Sequence, residues 1–119
     1  MTLTRIGYWR SETAPEWPDV LDFVDHAWNE DERAAVASYL LSGTAVHHCM
    51  GFSMCRICGK RNGTSEFSDG MFIWPEGLAH YVEDHAVRLP QRIVDHATEA
   101  MARLESASVD TAWWQSLAK

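Results

Sequence analysis

Two cysteines three positions apart, Cys55 and Cys58, and two histidines five positions apart, His80 and His85, frame the stretch CRICGKRNGTSEFSDGMFIWPEGLAHYVEDH. Thiolates and imidazoles are the donors of tetrahedral metal sites, and a Cys-x-x-Cys turn lets both sulfurs converge on one ion. Gly59 follows directly and allows the backbone to bend back. A chain that gathers all four side chains must fold the residues between them into something compact. The sequence says how. Asn62-Gly63 and Asp69-Gly70 are tight-turn pairs, and the second joins TSEFS to MFIW as a β-hairpin. Pro75 then stops the second strand and starts a helix through GLAHYVEDHAV.

The order is therefore cysteine knuckle, hairpin, helix, with zinc expected at Cys55, Cys58, His80 and His85. The fourth position has a competitor. Asp84 lies one helical turn beyond His80, whereas His85 reaches the same ion only where the helix loosens near its end. This order looks like a treble-clef zinc module over residues 55 to 85, with His80 about a turn later in the helix than that pattern usually has it.

Around this stretch the chain reads as helical. WPDVLDFVDHAW spaces Trp17, Val20, Leu21, Val24 and Trp28 for a short amphipathic helix. In NEDERAAVASYLLSG, Asn29 is the N-cap with Glu32 three residues on, Gly43 is the stop, and Val36, Tyr39 and Leu40 form the buried stripe. TAVHHCMGF alternates as a strand in which His47 and His48 are polar strand groups and Cys49 a small buried residue. After Pro90, the positions Ile93, Val94, Ala97, Ala100, Met101 and Leu104 trace one face of a helix, and SVDTAWWQSLAK carries a last short one. The fold class expected is α+β, one domain over 1–119, mostly helical around the knuckle, the hairpin and the following helix. Residues 51–90 are its zinc-binding module.

Composition decides what the module is used for. The 119 residues carry a formal charge of −7, which argues against duplex nucleic acid, because phosphate binding relies on Lys and Arg. Arg56, Lys60 and Arg61 are a local basic group that more simply forms a solvated face. No stretch approaches the roughly 18 apolar residues of a membrane span. An odd number of cysteines with one close pair suits thiolate ligation in a reducing compartment, so the expected location is the cytoplasm. A redox dithiol is disfavoured, since no thioredoxin-like strand and helix flank the pair.

Four protein ligands leave no open position for substrate, which favours a structural site over a catalytic one. Neither His-x-Glu with Pro-Cys-x-x-Cys nor His-Glu-x-x-His is present. If the metal were catalytic, Glu83, Glu66, Glu76 and Asp69 are the carboxylates available as a general base, Glu83 and Glu66 first. TSEFSDGMFIWPEG is also dense in acidic and aromatic groups. Glu66, Asp69, Trp74 and Glu76 would form a surface or pocket beside the metal if the hairpin folded back on the helix. The expected function is that of an interaction or accessory module with a protein or peptide partner. A small zinc enzyme or biosynthetic accessory protein is the alternative.

The residues Gly-x-Ser-x-Cys-Arg-x-Cys-Gly, Asn-Gly, Asp-Gly and Trp-Pro-Glu-Gly-Leu-x-His-Tyr, together with the YWRSE and DFVD segments, resemble a family of small uncharacterised bacterial proteins. The resemblance implies that residues 51 to 90 act as one module and implies no activity.

Overall fold

The computed structural model describes residues 1–48, 51 and 53–119. The fold is α+β. Four strands, β1 (Thr4–Arg5), β2 (Thr44–His48), β3 (Ser65–Ser68) and β4 (Phe72–Pro75), form one mixed sheet in the order β1-β4-β3-β2. Four α-helices among the described residues accompany it: α1 (Glu30–Leu41), α2 (Leu78–His85), α3 (Gln91–Ser106) and α4 (Ala112–Gln115).

The hairpin forms where the turn chemistry places it. Asp69 Oδ1 accepts from the N–H groups of Met71 and Phe72, both at 2.9 Å, and Gly70 takes φ +94°, so β3 returns as antiparallel β4. The sheet is larger than that hairpin. β2 pairs antiparallel with β3, and the two residues of β1 pair parallel with β4, Thr4 opposite Phe72 and Arg5 opposite Ile73. The expected strand over TAVHHCMGF is described through His48; Cys49, Met50 and Phe52 lie outside the described residues.

α1 starts as its cap predicts, with Asn29 Oδ1 accepting from the Glu32 N–H at 2.9 Å. Val36, Tyr39 and Leu40 are buried as a stripe. Trp74 reaches across from β4, fully buried, and its indole N–H donates to the Leu40 carbonyl at 3.1 Å, which ties the helix end to the sheet. The other buried faces come from Leu78, Ala79, Tyr81 and Val82 of α2 and from Ile93, Val94 and Ala97 of α3. Leu104, the last member of the expected α3 stripe, is 70% exposed, so the stripe outruns the core.

The segment from Trp17 to Trp28 departs from expectation. Only Val20–Phe23 is helical, a single 3-10 turn capped by Asp19 on the Leu21 N–H. Beyond it the backbone is extended because residues 23–25 pair with 86–88. Arg88 N–H donates to Phe23 O at 2.8 Å, Asp25 N–H to Ala86 O at 2.9 Å, and Val24 bridges Val87. Long-range backbone pairing overrides the local helical pattern. No helix among the described residues is long and apolar enough to cross a membrane.

Candidate metal centre

Residues 53 to 63 fold into a narrow hairpin whose tip is the cysteine turn. Ser53 N–H donates to Gly63 O at 2.9 Å, Asn62 N–H to Ser53 O at 2.8 Å and Cys55 N–H to Lys60 O at 2.8 Å, and Met54 bridges Arg61. At the tip, Gly59 N–H donates to Cys55 O at 2.9 Å, and Gly59 takes φ +74°, a conformation that favours glycine. The Cys55 Sγ accepts from the N–H groups of Ile57 at 3.4 Å and Cys58 at 3.5 Å. These donors stabilise negative charge on sulfur.

Three contacts seat α2 against this turn. Asn62 Nδ2 donates to Gly77 O at 3.1 Å, and Arg56 N–H donates to the Tyr81 hydroxyl oxygen at 2.8 Å. Glu76 Oε1 accepts from the N–H groups of Thr64 and Ser65, at 2.9 and 3.1 Å. The result carries the two histidines to the two cysteines. One ligand atom from each of Cys55, Cys58, His80 and His85 lies within 4.8 Å of every other, and Cys58 Sγ is 3.4 Å from His80 Nε2. Bonds of about 2.0–2.3 Å in tetrahedral geometry separate neighbouring donors by roughly 3.3–3.8 Å. Small side-chain rotations therefore suffice to close the four donors on one ion.

The residues fit a metal in three further respects. His85 Nε2 is buried and has no hydrogen-bond partner, which is costly for a polar atom unless a ligand takes it up. His80 Nδ1 lies 2.8 Å from Asp84 Oδ2, so the N–H is held on Nδ1 and the Nε2 lone pair faces Cys58. The Cys58 thiol is lowered to about 6, first by the Lys60 backbone N–H and then by His85 and His80, which favours the thiolate that binds metal. Burial raises the Tyr81 hydroxyl, and its phenol backs the turn. Asp84 thus fixes the His80 ring, and the fourth atom of the cluster comes from His85.

The acidic and aromatic residues of the hairpin do not assemble beside this centre, contrary to expectation. Trp74 is fully buried against α1 and offers no surface. Glu76 is occupied with the backbone of Thr64 and Ser65. Asp69 sits at the far turn, where Oδ2 meets the Tyr39 hydroxyl and, at 2.7 Å, His96 Nε2. Glu66 is buried at 7% exposure, held by Arg5 at 3.0 Å, His47 at 2.9 Å and the Tyr8 hydroxyl. The reason is the pleat and the reach of the sheet: each residue is taken up by a different neighbouring element. Glu83, the other base candidate, is exposed on α2 and outside the cluster.

Burial works to raise the Glu66 carboxyl, but hydrogen bonds from Tyr8 and His47 and the charge of Arg5 outweigh it and hold the group below the usual carboxylate range. Asp69 behaves likewise and falls to about 2: burial is outweighed by Tyr39, the Phe72 and Met71 N–H groups and His96. Both carboxylates are therefore ionised anchors. His96, Tyr39, Arg5 and Tyr8 had no local motif to announce them, since their partners lie 27, 30, 61 and 58 residues away in sequence.

What adjoins the cysteine turn is instead a cleft of about 180 Å³. Ser53, Met54 and Arg56 of the knuckle form one wall, and Tyr8, Trp17 and Tyr81 contribute aromatic surface, the Tyr8 and Trp17 rings being 5.7 Å apart. No protein-family model, curated protein or solved structure matches the chain.

Proposed function

We propose that this protein is a zinc-binding interaction module in which the metal is structural and coordinatively closed. The observation that carries the reading is the convergence of two cysteine sulfurs and two imidazoles, one with an orphaned buried nitrogen and the other fixed in tautomer by Asp84. Soft thiolates with imidazoles in a four-donor cluster suit zinc above the harder divalent ions. The knuckle, hairpin and helix would then act as a treble-clef-like module. When bound, zinc supplies cross-linking of the knuckle to α2 and no vacant position for substrate.

Activity in this reading comes from binding. The ordered knuckle wall, with Arg56 beside Tyr8 and Trp17, gives the cleft an aromatic and cationic character that suits a protein or peptide segment. Nucleic acid is a poor partner for a chain of net charge −7.

The deciding experiment is metal analysis with X-ray absorption on protein purified without added zinc. About one equivalent of zinc with two sulfur and two nitrogen neighbours at about 2.3 and 2.0–2.1 Å is expected. An oxygen from water in place of one protein donor would favour a small zinc enzyme, and a metal-free Cys55–Cys58 disulfide would remove the zinc reading altogether.

A further inference from the structure

The last five residues of α3 and the segment after it leave the body of the protein. Every residue from Ala102 to Lys119 is exposed, including Leu104 at 70%, Trp113 at 64%, Trp114 at 70% and Leu117 at 53%. Two adjacent indoles in water, on the ordered turn of α4, are an unusual use of the residue type that most favours burial at interfaces. At the opposite end of α3 the body carries the complementary feature. An apolar pocket of about 280 Å³ is lined by Ile6, Trp9, Phe23, Leu89 and Ile93. Arg92 stands at it with its guanidinium 5.4 Å from the Phe72 ring centroid.

We propose that the arm of one copy, residues 107–119, lays both Trp113 and Trp114 against this pocket and its rim in a second copy, and the second copy returns the contact. The geometry of α3 motivates the exchange. Its 16 residues span about 24 Å, so arm and pocket are held at opposite ends of one rod. Two such helices laid antiparallel about a two-fold axis put each arm over the other copy's pocket, the self-complementary arrangement a two-fold requires. Leu104, the stripe residue that outruns the core, then lies along the same seam.

The area is adequate. At about 250 Å² per indole, the exposed fractions of Trp113 and Trp114 amount to roughly 300 Å² per arm. Counting the surface they cover and the second, symmetric contact, the total is roughly 1,200 Å² before the leucines, the lower end of stable interfaces. The cation of Arg92 suits an indole face. Both copies carry −7, so the contact works against mutual repulsion that salt screens within about 8 Å at physiological ionic strength.

Sedimentation equilibrium of the full chain tests this. A monomer–dimer equilibrium with a dissociation constant on the order of micromolar is expected, tightening as salt rises. Trp113→Ala with Trp114→Ala, both at exposed positions that leave the core untouched, should weaken it by at least about thirtyfold. Thr4→Trp, which plugs the pocket from the exposed β1 edge, should weaken it comparably, and mixing this variant with the double-alanine variant should recover part of the association, since one arm and one pocket remain. A chain that stays monomeric, a dimer that the double-alanine variant leaves intact, or association that weakens with salt would each overturn the proposal.

Discussion

Asp69→Asn isolates the carboxylate that joins three elements. Asparagine keeps an acceptor for the Met71 and Phe72 N–H groups, so the turn survives, but it loses the charge that Tyr39 of α1 and His96 of α3 share. With the carboxyl at about 2 in the fold against 3.8 ordinarily, and about 1.36 kcal/mol per pH unit, the upper value of the charge is roughly 2.5 kcal/mol. The side chain is 22% exposed in an open turn, and solvent screening brings the expected loss to about 1–2 kcal/mol. At an m-value of about 1.5 kcal/mol/M, the urea midpoint at pH 7 should fall by roughly 1 M. A depressed acid contributes stability above its unfolded value and loses it as pH falls towards its folded value. The gap between wild type and variant should therefore be full at pH 6–7 and shrink by about half at pH 3. Comparing the two chains at each pH cancels the acid sensitivity of the metal centre, which both share. Equal midpoints at pH 7, or a gap that does not narrow on acidification, would refute this account.

Three further outcomes follow from the centre and its supports. Asp84→Asn should keep zinc binding but weaken it about 10- to 100-fold in a competitive chelator titration, because the His80 tautomer is no longer enforced by a carboxylate. Cys58→Ser should reduce bound zinc to well under one equivalent and expose the 53–63 hairpin and α2 to hydrogen exchange while α1 keeps protection, since α1 holds the sheet through Trp74 rather than through the knuckle. Gly77→Ala should cost about 1–3 kcal/mol by urea unfolding, as its Cβ would meet Asn62 O and Oδ1, each at 2.3 Å, and push α2 off the knuckle.

Features legible in the sequence were those whose cause is local. Asn29 with Glu32, Asp69 with Gly70 and Cys55 with Cys58 each carry their geometry within four residues, and the structure has each where the pattern puts it. The histidine pair is legible as candidate donors, but which of Asp84 and His85 comes into the cluster depends on how the hairpin seats α2, which no spacing rule contains. β1 is invisible in the sequence because two residues give no alternation; it exists only through Phe72 and Ile73, some 68 positions on. The failed helix at 17–28 has the same origin, a pairing with residues 86–88 that local periodicity cannot announce. Glu66 and Asp69 announce their type but not their surroundings, because burial of a carboxylate is decided by partners such as Arg5 and His96 that come from elsewhere in the chain.

The margins of the sheet bear on what happens when the fold is stressed. β1 is two residues long, and β2, exposed throughout, slips register between Ala45 and His47 and carries two histidines. Among the described residues, neither margin presents a long flat row of free amide and carbonyl groups, the template on which another chain would add itself strand by strand. Loosening of the knuckle would thus create no seed for fibril growth at these margins, and the weakened protein should meet proteases before it meets its own kind in cross-β form.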